Sequence, residues 1–289
     1  MTRARTLLLT ALAMLAFAGN SLLCRMALAT TTIDPASFTA IRIVAGALAL
    51  AMIVRLRHAG TPLGDWPSGI ALFVYAAAFS FAYVTLPAAA GALLLFGSVQ
   101  ATMIGHGLAS GERPGVRQLV GLAVAFAGLV GLLLPGLSAP PLQGSLLMIA
   151  AGAAWGIYSL RGRSGGDATR ETAGNFLRAA VLAGGLGLLM LPVASVDRAG
   201  VLYAVASGAL ASGVGYAVWY TALRGLAATS AASVQLSVPV IAAVGGILLL
   251  GEALTLRLVL CSTAVLGGIG LVIAAGQRRA RDARRGRPG

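Results

Sequence analysis

The segment YTALRGLAATSAASVQLSVPVIAAVGGILLLGEALT, which covers residues 220–255, is a long apolar run interrupted by small polar residues and by Pro239. It ends at the pair Gly251 and Glu252, and the same pair closes another apolar run at Gly111 and Glu112, 140 residues earlier. This spacing is close to half of the 289-residue chain. A spacing of this kind predicts an internal duplication.

Three further pairs of residues recur in the same order, at a spacing of 136 or 137 residues. These pairs are Arg25 with Arg161, Arg42 with Arg178, and Tyr83 with Tyr220. Agreement among four landmark pairs favours a duplicated unit over chance matches in an apolar sequence.

The composition predicts an integral membrane protein. Of the residues, 58% are hydrophobic and 10% are charged, and the mean hydropathy is +0.90. Soluble domains carry about 25% charged residues.

Ten apolar runs are long enough to span a bilayer, which takes about 20 residues. They cover residues 7–27, 37–54, 69–86, 88–108, 116–134, 144–160, 172–191, 200–220, 229–250 and 256–275. Five spans per copy would place the second copy upside down relative to the first. We therefore expect an all-α membrane protein with ten transmembrane helices in two inverted five-helix repeats, residues 1–135 and 136–276, and a basic tail at 277–289.

The distribution of arginine predicts the orientation. If the N-terminus is cytoplasmic, 16 of the 21 basic residues lie on the cytoplasmic side. They are Arg3, Arg5, Arg55, Arg57, Arg113, Arg117, Arg161, Arg163, Arg170, Arg224 and the six arginines of the tail. The positive-inside rule then places both termini in the cytoplasm. We expect a multi-pass protein of the bacterial inner membrane.

The net charge of +13 is concentrated where the chain leaves the last span. Because no aromatic platform accompanies the charge, we expect the tail to contact anionic lipid headgroups and expect no nucleic-acid partner. A cleaved signal peptide in the first span is an alternative, but its removal would break the repeat. Cys24 and Cys261 permit a disulfide, although simple packing is the favoured interpretation.

Both halves carry a set of motifs at matching positions. The second half has Tyr220, residues 231–233, Pro239, Val240 and residues 250–252, and the first has Tyr83, Gly91, Ala92 and residues 110–112. These motifs resemble the EamA repeat of the drug/metabolite transporter superfamily, over the whole chain except the tail. Two features depart from the pattern: Val99 stands where the second copy has Pro239, and GNSLLCR at 19–25 replaces a stretch with tryptophan in many relatives.

The resemblance implies ten helices with cytoplasmic termini and a central cavity lined by helices one to four and six to nine. It also implies outward movement of small metabolites, without indicating which one.

Three arginines, Arg25, Arg42 and Arg178, lie within predicted spans, where a charge is costly unless it faces a cavity or a partner. For Arg25 we favour a structural role, either snorkelling to lipid headgroups or pairing with a backbone carbonyl. For Arg42 and Arg178 a structural role and substrate binding are both open. No Asp or Glu lies well inside a span. Since guanidinium groups bind carboxylates and phosphates, we expect an anionic or zwitterionic substrate such as an amino acid or organic acid, rather than a lipophilic cation.

Neutral polar and aromatic residues complete the predicted substrate site. They are Asn20, Tyr83, Gln100, Trp155, Tyr158, Tyr216 and Gln235, and Asn20 and Trp155 are favoured because helices one and six are repeat partners. An interfacial belt is the alternative for the aromatic side chains. His106 is the histidine within a predicted span and a candidate for proton coupling, although an interfacial role is the commoner one.

The sequence predicts neither an enzyme nor a cofactor or metal site, because the spans contain no acid/base pair and no metal-ligand spacing. A membrane scaffold or receptor remains an alternative, and so do import, exchange and multidrug efflux. Glycines in helix five, namely Gly121, Gly128 and Gly131, and in helix ten favour close packing, within the chain or in a homodimer.

Overall fold

The structure is a computed structural model, which describes residues 2–111, 114–134, 136, 139–162, 167–223, 225–226 and 234–285, with side chains as far as Arg278. Several sequence landmarks lie outside the described residues. They are Glu112, Arg113, Pro135, Arg163, Arg224, Arg287 and the stretch 231–233.

The described residues form helices, labelled α1 to α10 in chain order, and contain no strand. The helices are α1 Arg3–Thr30, α2 Pro35–Leu56, α3 Trp66–Tyr83, α4 Ala88–Ala109, α5 Val116–Leu133, α6 Leu142–Arg161, α7 Ala168–Leu189, α8 Arg198–Leu223, α9 Ser237–Leu250 and α10 Leu256–Arg285. Eight of them contain apolar stretches long enough to cross a membrane, namely all except α6 and the 14-residue α9. The prediction of an all-helical membrane protein is confirmed.

The outside of the helix bundle is apolar. Large hydrophobic side chains such as Phe126, Leu48 and Leu248 are 68%, 66% and 76% exposed. A soluble protein rarely exposes so many large apolar residues, whereas a membrane-embedded surface requires them. The outer surface of the bundle is therefore suited to contact with lipid.

Aspartate side chains cap four of the helices and mark the two ends of the bundle. Asp65 and Asp167 cap α3 and α7 at the end where α1 begins, here called the near face. Asp34 and Asp197 cap α2 and α8 at the end where α1 finishes, here called the far face. Each carboxylate accepts hydrogen bonds from backbone N–H groups that the first turn of a helix leaves unpaired.

Helix packing brings the two halves of the chain together throughout the bundle. α2 lies against α7, α4 against α9 and α5 against α10. α3 packs against α6, and α1 packs against α8. Each of these pairs joins one helix from the first half to one from the second, so a cavity in the middle has walls from both halves.

Two helices depart from regular α geometry or from the predicted spans. Within α8, residues Ala206–Val214 form a π-helical stretch, in which Gly208 lies directly against the backbone carbonyl of Arg42. α9 begins at Ser237, later than the predicted start at residue 229, and Pro239 occupies its first turn, where a missing N–H costs nothing. Val99, by contrast, lies inside the uninterrupted α4.

The C-terminal helix and its glycines pack against α5. α10 continues to Arg285, beyond the predicted start of the tail at residue 277. Gly121 approaches the backbone of Gly268, and Gly128 approaches the side chain of Ala264, so these glycines serve close packing within one chain. Cys24 and Cys261 are both free and buried, so the structure contains no disulfide between them.

Candidate functional site

A small central cavity lies between α1, α3, α4, α6, α8 and the turn that precedes α9. Its volume is about 20 Å³, which is room for about one water molecule. Six aromatic rings line it: Phe17, Tyr75, Phe79, Phe96, Trp155 and Tyr216. In the described part of the bundle the cavity is therefore a small aromatic chamber.

Trp155 lies at the centre of this set of rings. Its ring centroid is 4.9 Å from that of Tyr75, 5.2 Å from that of Tyr216 and 5.3 Å from that of Tyr158. Tyr158 stacks behind Trp155 and does not line the cavity. Such ring pairs stabilise the protein and present flat apolar faces towards the cavity.

The polar part of the cavity wall is centred on Asn20. Its amide Nδ2 donates to Tyr75 Oη at 3.2 Å, and its Oδ1 accepts from Ser207 Oγ at 2.6 Å. Ser207 belongs to the π-helical stretch of α8, so Asn20 links α1 to α3 and α8. Gln235 also lines the cavity, from the turn before α9, and supplies a second amide.

Arg42 lies behind the rings that form one wall of the cavity. Its guanidinium carbon is 5.4 Å from the ring centroid of Tyr75 and 4.8 Å from that of Phe79. The residue is only 2% exposed, and its Nη1 has no hydrogen-bond partner among the described residues. One nitrogen of this buried charge therefore lacks the hydrogen bond that would offset its desolvation.

Arg178, the repeat counterpart of Arg42, lies away from the cavity. Its Nη1 donates to the carbonyl oxygens of Leu63 at 3.1 Å and Gly174 at 2.9 Å, and the side chain is half-buried. These contacts join α7 to the loop before α3. The Nε of Arg178 has no hydrogen-bond partner among the described residues, so substrate binding by Arg178 stays a prediction.

The near-face loop before α3 carries a second set of contacts, around Asp65. Asp65 pairs with Arg161 at 3.2 Å, and Asn175 Oδ1 accepts from the Asp65 backbone N–H at 3.0 Å. Burial alone would raise the pKa of Asp65, but hydrogen bonds from Ser68 and the charge of Arg161 outweigh it and lower the pKa.

Three other residues predicted for the site do not line the cavity. Tyr83 is fully buried at the far end of α3, where its Oη donates to the carbonyl of Ala88 at 3.4 Å. Gln100 is buried in α4, one turn beyond the cavity residue Phe96. His106 is exposed at the near-face end of α4. Proton coupling through His106 therefore stays a prediction.

Arg25 contacts backbone carbonyls, which is one of the two structural roles expected from the sequence. Its Nη1 donates to the carbonyls of Tyr83 at 3.0 Å and Val84 at 3.1 Å. Its Nε also forms an ion pair of 3.2 Å with Glu252, a partner that the sequence did not indicate.

Comparison with known proteins assigns the chain to a family. The model of the EamA-like transporter family matches residues 4–134 and, a second time, residues 142–274. The chain belongs to the EamA-like transporter family. This EamA-like transporter is thus a multi-pass membrane protein, consistent with the drug/metabolite transporter superfamily.

Two similar proteins extend this assignment. An uncharacterized protein of Pseudomonas aeruginosa is 59% identical over 284 residues, which cover 98% of each chain. A protein known from a crystal structure aligns with a TM-score of 0.67 at 21% identity, over 96% of this chain and 100% of that chain. At that identity the likeness shows the fold of the EamA-like transporter, and its chemistry must be inferred from its own cavity.

Sequence reasoning missed several residues of the cavity in this EamA-like transporter. They include Phe17, Tyr75, Phe79 and Phe96, and Ser207, which does not line the cavity but donates to Asn20, was missed as well. One signal was present: Tyr75, Phe79 and Tyr83 follow each other at intervals of four residues and therefore share one face of α3. Ser207 gave no signal, because small polar residues are frequent throughout the apolar runs.

Proposed function

We propose that the protein is a secondary transporter that exports a small carboxylate-bearing metabolite, such as an amino acid, through the central cavity. The observation that carries this proposal is Arg42. Its buried guanidinium lies against two rings of the cavity wall, and its Nη1 has no partner in the part of the chain that the structure describes. A substrate carboxylate would pair with that group and offset the cost of its burial.

The other cavity residues support the same class of substrate. Asn20 and Gln235 offer amide groups that can donate to or accept from a polar substrate, and the aromatic rings can cover its apolar part. Among the described lining residues none is acidic, so a permanent cation would find aromatic faces but no counter-charge. Multidrug efflux of cations is therefore the less favoured alternative.

The size of the cavity supports alternating access. A chamber of about 20 Å³ holds about one water molecule, far less than a metabolite needs. Substrate must therefore enter after a rearrangement that opens one face of the bundle. The glycine-rich contacts between helices and the π-helical stretch of α8 are places where such movement is feasible.

Several features favour two inverted five-helix repeats as the moving units. The aspartate caps of α2 and α3, Asp34 and Asp65, lie at opposite faces from the caps of their repeat counterparts α7 and α8, Asp167 and Asp197. The contacts α2–α7, α4–α9 and α5–α10 each join a helix to its counterpart in the other half of the chain. Such contacts also suit a pseudo-two-fold axis in the membrane plane.

The arginine distribution supports an inner-membrane orientation in which the near face, with both termini, is cytoplasmic. Export then carries substrate from the near face to the far face. Because the coupling gradient sets the direction, import or exchange through the same cavity is the alternative. Reporter domains fused to each terminus would test the orientation, and activity of a periplasm-only reporter at either end would contradict it.

A transport assay in proteoliposomes tests the proposed substrate class. We expect a carboxylate-bearing compound from a panel of amino acids and organic acids to be carried, and quaternary amines to be excluded. Arg42→Lys keeps the charge but loses the planar fork, so it should reduce transport of that compound. Arg178→Lys is the matched control and should transport like wild type. Transport of quaternary amines alone, with both variants like wild type, would contradict the proposal.

A further inference from the structure

An ion pair at the far face joins the two halves of the chain. Arg25, near the end of α1, pairs with Glu252, which follows α9, at a distance of 3.2 Å. The side chains are only 19% and 14% exposed, so water screens this pair less than it screens a surface pair. Arg25 also binds the carbonyls of Tyr83 and Val84, at the corner between α3 and α4.

Glu252 also holds the first turn of α4. Both of its carboxylate oxygens accept from the backbone N–H of Ala88, at 3.0 and 2.8 Å. α4 has no side-chain cap of its own, because Pro87 precedes it. A carboxylate at the start of a helix is stabilising, since it pairs with free N–H groups and with the helix dipole. One carboxylate thus ties together α1, α4 and the end of α9.

The carboxylate of Glu252 faces a second and larger cavity. This cavity has a volume of about 220 Å³ and lies at the far face, between the start of α4 and the ends of α5 and α9. Thr85, Pro141 and Leu258 are among the residues that line it with Glu252. A cavity of this volume has room for several water molecules, so protons can reach the carboxylate from the far side.

We propose that Glu252 is a proton-binding site that controls closure of the far face. A proton taken up by its carboxylate removes the negative charge, so the ion pair to Arg25 is lost and the cap on α4 is weakened. Arg25 then keeps only its two backbone carbonyls. The tie between α1 and α9 is released, and the far face opens towards the central cavity.

The charged and titratable groups around Glu252 are few. α1 supplies Arg25 and Cys24, and α3 supplies Tyr83. α10 supplies Arg257, which is held by the carbonyls of Gly131 and Leu134. In the described part of the chain, α4, α5 and α9 bring no titratable side chain to this end of the bundle. Arg25 is therefore the group whose pairing depends on the charge of Glu252.

The near face carries a weaker counterpart. Arg161 and Asp65 also pair at 3.2 Å, but their side chains are 43% and 52% exposed. An exposed pair contributes little, because water screens it and both side chains lose freedom. The comparison supplies a matched control, since Asp65→Asn removes a similar ion pair at the opposite face.

Cys24 is a native reporter of far-face opening. It is fully buried on α1, next to Arg25 and one turn from the cavity residues Asn20 and Ser21. In a Cys261→Ser background Cys24 is the only thiol of the chain, because the sequence has two cysteines. A membrane-impermeant maleimide applied from the far side therefore labels Cys24 only when that face opens.

Labelling rates of Glu252→Gln and its parent form the test. The glutamine keeps the shape of the side chain but carries no charge, as a protonated glutamate does. We expect Glu252→Gln to be labelled about tenfold faster than its parent near neutral pH, a shift of about 1.4 kcal/mol in the opening equilibrium. The ratio should fall towards one as the external pH is lowered, because the parent then takes up the proton itself. Comparison at each pH cancels the pH dependence of the maleimide reaction.

Three results would overturn the proposal. The first is equal labelling of variant and parent at every pH, and the second is rapid labelling of the parent near neutral pH. The third is an equal increase in the labelling rate of Cys24 in Asp65→Asn. If Glu252→Gln does not fold, the labelling rate of the parent is measured at each pH and divided by the rate at which the maleimide reacts with a small thiol. This corrected rate still tests the proposal. It should rise on acidification. The inference rests on the proposed function only for the opening of the far face. The assay needs no substrate, so a wrong substrate class would leave its result unchanged.

Discussion

Arg42 and Arg178 lie on α2 and α7, which correspond in the two halves of the chain, yet their surroundings differ. Arg42 is 2% exposed, lies over two aromatic rings and has an unpaired nitrogen. Arg178 is half-buried and donates to two backbone carbonyls. Among the described residues each arginine keeps one buried nitrogen without a partner, Nη1 of Arg42 and Nε of Arg178. The difference is that Arg42 lies against rings of the cavity wall, while Nη1 of Arg178 holds a loop.

The difference shows how a duplicated unit can divide its roles. The partners of the two arginines explain what each now does: Tyr75 and Phe79 put Arg42 at the cavity, and Leu63 puts Arg178 at the near-face loop. We expect substitutions at the two positions to separate transport from stability.

The largest expected effect comes from replacing each arginine by methionine. Arg42→Met should weaken substrate binding by about 10- to 100-fold, because the hydrogen bonds between the charged guanidinium and the substrate are lost. Its thermal stability should stay the same or rise, because a buried, unpaired charge is removed. Arg178→Met should bind normally but lose about 1–3 kcal/mol of stability, since two carbonyls lose their donor. Binding titrations and thermal unfolding in detergent measure both quantities. If both variants lost substrate affinity, or both lost stability, the two arginines would not have different roles.

A glycine pair on α7 sharpens the structural half of the comparison. A Cβ on Gly174 would collide with the carbonyl of Leu63, the group that Arg178 binds, whereas a Cβ on Gly184 meets nothing within 4 Å. Gly174→Ala should therefore cost about 1–3 kcal/mol by overpacking. Gly184→Ala should be neutral or stabilise by about 0.5–1 kcal/mol, because alanine favours a helix. Denaturation of the two variants in parallel decides the point. Equal stabilities of the two variants would mean that the loop before α3 moves away from the added methyl group at no cost in free energy.

The sequence predicted the helices better than the site. Long apolar runs and arginine-rich loops carry a strong signal, because each span must bury about 20 residues in lipid. Trp155, Asn20, Tyr216 and Gln235 were expected at the cavity and do line it.

The rest depended on contacts that no local pattern encodes. Tyr83 and Arg178 have the residue types of a substrate site, but their partners are backbone carbonyls. Ser207 became visible only when the π-helical stretch of α8 placed it 2.6 Å from Asn20.

Two buried asparagines repeat the contrast on a smaller scale. Asn20 links Tyr75 and Ser207 at the cavity, whereas Asn175 accepts from the Asp65 backbone at the near face. Asn20→Ala should lower both substrate affinity and stability, the latter by about 1–2 kcal/mol, because Ser207 loses its acceptor. Asn175→Ala should lower stability by a similar amount without changing affinity. Isothermal titration with the transported compound separates the two, and an unchanged affinity in Asn20→Ala would remove Asn20 from the site.

The smallest expected effect concerns acid and the near-face loop that Arg178 holds. The pKa of Asp65 is lowered, because its hydrogen bonds from Ser68 and the charge of Arg161 outweigh its burial. Its stabilising contribution is then fully present above the pKa of the unfolded chain, about 3.9, and is lost as the pH falls through the lower folded value. Since Asp65 is half-exposed, screening limits that contribution to less than about 1 kcal/mol. Unfolding curves of Asp65→Asn and wild type should therefore differ slightly at neutral pH and converge below about pH 4. If the difference in stability between Asp65→Asn and wild type instead grew in acid, the loop would depend on hydrogen bonding and not on the charge of the Asp65 carboxylate. The loop would then be held mainly by Arg178, which makes the near-face arginine more important to folding than its hydrogen bonds alone suggest.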